Sequence, residues 1–322
     1  MIAPVNFHKR IRLMAVAQSN GIEIEYETFG NSSNPAVVLI AGLGVQLIAW
    51  DSRFCKKMAD NGYYVIRFDN RDSGLSTKCN GMSMQEIMNK MFALFVGKAE
   101  PVPYTIDDMA DDVACLLDFL AIAKAHVCGI SMGGFIAQTF AIKYPERISS
   151  LTSVYSHTGE NRAFQPTKEA MEAMIAPAPA ERNGYIEHMS RFFRLVYGNG
   201  LPFDEEFHRE MAAASYDRSF YPDGIARQYL AILTQNNRTS YLNNLSVPSL
   251  IIHGDDDPLV PLSGGKATAE SIPGAELKIV NGMGHAMPNI DNWWSDILDT
   301  MLCHQEKAQQ MAVKVSTKKG DK

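Results

Sequence analysis

VCGISMGG, residues 127–134, is the stretch on which the reading of this chain turns. A short apolar run meets Gly129-Ile130-Ser131-Met132-Gly133, and FIAQTFAIKYP behind it has helical character up to Pro145. The pattern G-x-S-x-G is that of a nucleophile elbow, a tight strand-to-helix turn that presents a serine oxygen. Three fixed positions are a weak signal alone, so the surrounding sequence has to carry it.

That surrounding sequence alternates strand with helix. IEIEYETF (22–29) alternates as a half-buried strand does, while AVVLIA (36–41), YYVIRFD (63–69) and HVCGI (126–130) are apolar throughout, as strands covered on both faces are. Between Gly44 and Asn61 the apolar spacing predicts a helix. Another is predicted over 105–123, with Thr105 as N-cap and acidic side chains in its first turns, where the helix dipole favours them. SLTSVY (150–155), VPSLIIHG (247–254) and AELKIV (275–280) read as further strands, and DNWWSDILDTMLCH as a closing helix. Residues 156–243 are different: rich in Met, Phe, Tyr and Arg at helical spacing, and broken by APAPAERNG and GNGLP. The expectation is an α/β protein with a mostly parallel, twisted sheet flanked by helices. Residues 1–155 and 244–304 form its core, 156–243 a helical cap, and 305–322 a polar, frayed tail containing Lys307, Lys314, Lys318, Lys319 and Lys322.

Bulk properties narrow the function. With 46% hydrophobic and 20% charged residues, the 322-residue chain is ordinary globular material. A net charge of −6 argues against nucleic acid as the main partner. No apolar run reaches the roughly 18–20 residues that span a bilayer, and the charges at positions 8–12 are not followed by a signal-like apolar stretch. A cytoplasmic location is expected. Cys55, Cys79, Cys115, Cys128 and Cys303 lack paired spacing and any C-x-x-C, so reduced thiols are expected and no metal site. Cys128, three residues before Ser131, reads as a small buried strand residue.

A serine hydroxyl needs a base to become a nucleophile at neutral pH, and histidine suits that role. Of the eight histidines, His8 lies in the N-terminal arm and His304 at the start of the tail, while His157, His188 and His208 fall in the insert. His126 begins the strand before the elbow, and His253 ends the next-to-last strand. His285, in NGMGHAMP directly after the last strand, is the candidate. The imidazole needs a carboxylate to fix its tautomer. HGDDDPLVP (253–261) supplies three acids, of which Asp257 is chosen because Pro258 shapes a turn behind it; Asp255 and Asp256 read as turn-forming or solvated. Ser131, Asp257 and His285 each follow a strand, where parallel sheets carry their reactive loops. The negative charge that develops on an attacked carbonyl requires N–H donors, expected from Met132 after the nucleophile and Leu43 in AGLG (41–44).

With these motifs the chain resembles an esterase of the α/β-hydrolase superfamily, and the order serine, acid, histidine is theirs. RFDNRDSGLS (67–76), CGISMGG, DDDPLVP and GMGHAMP together are most similar to the aclacinomycin methylesterase-like group, and the likeness covers most of residues 20–302. The resemblance implies the α/β-hydrolase fold with a helical cap inserted after its sixth strand. It implies Ser131 as nucleophile, Asp257 as acid, His285 as base and oxyanion donors at Leu43 and Met132. One departure is Ala41-Gly42, where many relatives have His-Gly. Arg71 and Asp72 read as a loop-bracing ion pair, and Phe192, Phe193, Tyr197, Met211 and Tyr229 as packing of the cap helices.

The expected activity is hydrolysis of a small to medium hydrophobic carboxylic ester through a serine acyl-enzyme, with no cofactor. Perhydrolysis of the haloperoxidase type, lactone opening and carbon–carbon bond hydrolysis use the same triad and form the alternative. A non-catalytic small-molecule binder is the last. Dehalogenases and epoxide hydrolases are disfavoured, since they carry aspartate where this chain has Ser131. The expected partner is a small-molecule ester, and whether copies of the chain assemble is left open.

Overall fold

The computed structural model describes residues 15–320, except 80, 81, 83, 99 and 161–163. Its order is β1 (Ala15–Ser19), β2 (Ile22–Phe29), β3 (Ala36–Ile40), α1 (Ser52–Asp60), β4 (Tyr64–Phe68), α2 (Met84–Phe95), α3 (Ile106–Phe119), β5 (Ala125–Ile130), α4 (Met132–Lys143) and β6 (Ile148–Val154). Five helices follow: α5 (Lys168–Ile175), α6 (Arg182–Val196), α7 (Glu205–Arg218), α8 (Pro222–Leu233) and α9 (Thr239–Leu242). The chain closes with β7 (Ser249–Gly254), α10 (Leu262–Ser271), β8 (Glu276–Val280) and α11 (Trp294–Gly320). The described strands form one sheet in the order β1-β2-β4-β3-β5-β6-β7-β8. β1 and β2 run antiparallel to their neighbours, and the rest pair in parallel.

The strands that read as apolar throughout bury both faces because each face has its own layer of helices. From β3, Val38 and Ile40 point into the core under α3 and α4, with Val113, Phe135 and Ile136. Val37 and Leu39 point the other way, toward Trp50, toward Phe54 of α1, and toward Ile297 and Met301 of α11. Thr105 caps α3 as expected, and a capping box forms with Asp108: Thr105 Oγ1 accepts the Asp108 N–H, and Asp108 Oδ2 accepts the Thr105 N–H.

Several stretches depart from the sequence reading, which does not anticipate α2 or α10. β1 was not anticipated, although its signal is local: Asn20 and Gly21, both at positive φ, make the two-residue turn that joins it to β2. The expected frayed tail is a correction. Residues 305–320 continue α11 as helix, and its inner face runs on through His304, Gln305 and Ala308, all buried. Helix-forming Gln, Lys, Ala and Met at the right spacing outweigh their polarity. Lys322 lies outside the described residues.

The five helices between β6 and β7 are fastened to the carboxyl end of the sheet by buried charges. Arg218 of α7 pairs with Asp69 at 2.6 Å, and Arg227 of α8 with Asp72 at 2.8 Å. Gln46 Nε2 donates to the carbonyls of Ser215 and Ser219. Burial pushes the Asp69 carboxyl above its ordinary range, and the Arg218 charge opposes that shift. Inside the insert, Ala170, Phe193, Val196, Phe207 and Met211 cluster with Ala49 and Met287 of the core.

Candidate active site

Ser131 joins β5 to α4 at φ 54° and ψ −120°, a region that L-residues seldom occupy and that costs on the order of 1–3 kcal/mol. The turn is possible because bare α-carbons let backbones touch: a Cβ on Gly129 would lie 2.7 Å from Gly134 N, and one on Gly133 2.8 Å from Ala41 O. Two bonds hold the turn from outside. The Ser131 N–H donates to Val154 O at 3.0 Å, and Ser156 Oγ donates to Ser131 O at 3.0 Å. α4 is buried around its whole first two turns, so its positive end is fixed directly behind the serine.

The acid and the imidazole meet. His285 Nδ1 lies 2.8 Å from Asp257 Oδ2. Asp257 Oδ1 accepts the N–H groups of Leu259 and Val260 at 2.8 and 2.9 Å, so the turn begun by Pro258 holds the carboxylate in one orientation. With Nδ1 donating to a carboxylate, Nε2 of His285 is left as an acceptor. The His285 ring packs against Tyr155 at 4.3 Å between centroids. Tyr155 follows Val154, the residue bonded to Ser131, so serine and histidine converge on one strand end. Burial raises the Tyr155 hydroxyl far above its ordinary pKa, with the Asp257 charge adding to the effect.

Met132 follows the serine, and the loop that carries Leu43 lies against it. A Cβ on Gly42 would lie 3.2 Å from Ser131 Cβ and 3.7 Å from its Oγ, so the Ala41–Gly44 loop lies against the nucleophile. In that loop the Gly44 N–H donates to Gln228 Oε1 at 2.8 Å and the Val45 N–H to Gly42 O at 3.2 Å.

The other histidines are placed elsewhere. His126 bonds Ser150 at the opposite end of the sheet, His157 accepts the Gly159 N–H, and His208 stacks on Phe203 in the insert. His304 is buried on the inner face of α11, and His188 lies on α6. His253 stands 3.8 Å from Asp257 Oδ2, where burial lowers its pKa and Val260 O is its hydrogen-bond partner. His8 lies outside the described residues. Among the described residues no cluster of three or more His, Cys, Asp or Glu is arranged to hold a metal ion.

Arg71 and Asp72 are both bracing charges, but not with each other. Arg71 forks onto Asp112, while Asp72 accepts from Arg227, Tyr104 and the Cys79 N–H. Asp255 and Asp256 are also more than solvated acids: the first accepts the Gly282 N–H, the second the Asn199 N–H and Nδ2. Gln228 escaped the sequence reading altogether. It is fully buried, with Nε2 on Arg71 O and Oε1 on the Gly44 N–H. Its signal was present: Arg227 and Gln228 interrupt the buried face of α8, which otherwise runs Gly224, Leu230, Ala231. Phe193 and Met211 pack inside the insert as expected, with Phe192 against them; Tyr197 packs on Trp293, and Tyr229 lies against Met171.

Among the described residues no helix is long and apolar enough to cross a membrane. A family model described as the alpha/beta hydrolase fold matches residues 35–288. Rhodomycin D methylesterase DnrP of Streptomyces peucetius is 29% identical over 284 residues, which cover 81% of this chain and 88% of that protein. 3-oxoadipate enol-lactonase 2 of Acinetobacter baylyi is 27% identical, over 80% of this chain and 85% of its own. Among solved structures, a meta-cleavage product hydrolase from Pseudomonas fluorescens IP01 superposes with a TM-score of 0.67 at 21% identity, covering 93% of this chain and 98% of that one. Sheet order, serine turn and matched span agree: the chain belongs to the alpha/beta hydrolase fold family, whose members similar to it are hydrolases.

Proposed function

We propose that the protein is a carboxylic-ester hydrolase that works through an acyl-enzyme on Ser131. The observation that carries this reading is the His285–Asp257 hydrogen bond at 2.8 Å beside the strained serine turn. Ser131 Oγ attacks the ester carbonyl while His285 Nε2 takes its proton, and Asp257 stabilises the resulting imidazolium. The N–H groups of Leu43 and Met132 receive the oxyanion. Each such donor is worth about 10²–10³ in rate. Gly44 and Val45 already give their N–H groups away, so neither serves, and the role in that loop is assigned to Leu43. Collapse breaks the carbon–oxygen bond and returns the proton from His285 to the leaving alcohol. A water, deprotonated by His285, then releases the acid and restores Ser131.

The five helices between β6 and β7 act as the cap and supply the substrate's surroundings. Their inner cluster is apolar and methionine-rich. The arginines that reach the sheet from them are engaged: Arg218 with Asp69, Arg227 with Asp72, and Arg238 with the oxygens of Gln138, Gln235 and His157. A substrate carboxylate would have to displace one of these partners, which favours a neutral, apolar ester. Similarity to a methylesterase supports the same choice. Lactone opening is the second reading, since similarity to an enol-lactonase favours it and its acyl chemistry is identical.

The test is Ser131→Ala, assayed on p-nitrophenyl esters of graded chain length beside methyl esters, lactones, β-diketones and peroxide-dependent halogenation. Ester turnover and labelling by a fluorophosphonate should both vanish in the variant. Unchanged turnover would refute the reading.

A further inference from the structure

The amides nearest the imidazole are not held by the sheet. The Gly284 N–H donates to Tyr197 O at 2.8 Å, and the His285 N–H donates to Val196 O at 2.6 Å. In return the Gly200 N–H donates to Gly282 O at 2.9 Å. All three partners lie at the end of α6 and in the turn after it, within the insert. The two backbones run so close that side chains are excluded. A Cβ on Gly284 would lie 2.6 Å from Gly198 N, and one on Gly200 2.8 Å from Gly282 Cα. Gly198 also sits at φ +94°, where an L-residue is strained.

A side chain closes the seam. Asp256 Oδ2 accepts the Asn199 N–H at 2.8 Å and Asn199 Nδ2 at 2.6 Å, while the Asp256 N–H donates to Met283 O at 3.1 Å. Adjacent acids thus do different work: Asp257 reaches the imidazole, and Asp256 ties the histidine loop to the insert. The sheet contributes less, with Gly282 on Asp255 and the Met283 N–H on Val280 O.

We propose that the turn Val196–Gly200 is the positioning segment for His285, with Gly198, Asn199 and Asp256 as positioning residues, so that the base is aligned only when the insert is seated on the sheet. This rests on the reading of His285 as the general base. Its consequence is that substrate covering and base alignment are one event: a displacement of the end of α6 moves the imidazole with it. Misplacement by about 1 Å can cost on the order of 10²-fold in rate, so a seam of this kind controls turnover without touching substrate.

The test compares Gly198→Ala, Asn199→Ala and Asp256→Asn in the full chain. Two measurements are made: kcat and KM on a p-nitrophenyl ester, and the downfield proton resonance of the His285 Nδ1–H, identified by its loss in His285→Gln. In Gly198→Ala kcat should fall on the order of 10–10²-fold with KM nearly unchanged, and the resonance should shift or broaden. Asn199→Ala, at an exposed position where folding is not at stake, should lower kcat by about tenfold or less and move the same resonance. Asp256→Asn keeps an oxygen acceptor for the Asn199 N–H and should retain most of the activity. Unchanged kcat and resonance in Asn199→Ala, or a rise in KM alone, would overturn the proposal. If the wild type turns over no ester, the reading of function fails by itself, and the resonance in Asn199→Ala still decides the seam.

Discussion

Replacing Arg227 with methionine is the sharpest test of how the insert is held. Arg227 and Asp72 are 2% and 0% exposed, and the guanidinium gives Asp72 two bonds, at 2.8 and 3.0 Å. In Arg227→Met, Asp72 keeps the Tyr104 hydroxyl and the Cys79 N–H, each at 2.7 Å, but loses its counter-charge. Removing one partner of a buried pair costs about 3–5 kcal/mol. The two remaining donors place this case at the low end, near 3 kcal/mol, and at roughly 2 °C per kcal/mol the melting temperature should drop by about 6 °C. Urea unfolding followed by far-ultraviolet circular dichroism measures the loss. The double variant Asp72→Asn, Arg227→Met removes the stranded charge and should recover much of it. Stability within about 1 kcal/mol of wild type in Arg227→Met would equate the pair with a surface one and refute the reasoning. Activity should fall as well, because Gln228 on the same turn of α8 holds the Gly44 N–H.

Further outcomes follow from the same geometry. Asp257→Asn leaves an isosteric side chain that no longer favours a proton on Nδ1 of His285; kcat should fall by about 10³–10⁴ with little change in folding, read by ester kinetics and melting. Gln228→Leu removes the acceptor for Gly44 and the donor to Arg71 O, so the oxyanion loop loosens and kcat should drop on the order of tenfold, while KM for a short ester stays nearly constant. His126 gives a pH signature. Burial, with repulsion from His304 and Lys124, holds its pKa down to about 4 in the fold. The unfolded chain takes up the proton near 6.5, so stability is full above that pH and is lost as pH falls from about 6.5 toward 4. The gap corresponds to about 3 kcal/mol. Urea midpoints of wild type should therefore decline over that window relative to His126→Gln, and parallel curves would count against it.

What could be read in the sequence was whatever rests on neighbours along the chain. Gly129 and Ser131 announce a turn because the backbone that forbids a side chain at Gly129 lies four and five positions on, at Gly133 and Gly134, whereas the demand for glycine at 133 comes from Ala41, just past the end of β3. Buried strands announce themselves as unbroken apolar runs, and Thr105 with Asp108 announces a helix start. Asp257 and His285 were reachable because parallel sheets put reactive loops at strand ends. The partners of Arg71 and Asp72 were not, since Asp112 and Arg227 come from distant helices and no local pattern says which charge meets which. Gln228, Asn199 and Asp256 act through backbone amides, a role that any polar side chain can fill. The end of α11 was misread for a related reason: polar composition resembles a solvated tail until the buried stripe through His304, Gln305 and Ala308 is traced.

The helical insert leaves the sheet after β6 and returns at β7, and these two strands are parallel neighbours. A crossover between parallel neighbours is obligatory whatever its length, and doubling a loop adds only about 0.6 kcal/mol of closure entropy. Lineages can therefore lengthen, shorten or exchange this segment with little thermodynamic penalty to the scaffold beneath. The toll falls elsewhere: any newcomer must bring cations for Asp69 and Asp72, or those two carboxylates become stranded in the interior of an otherwise intact hydrolase.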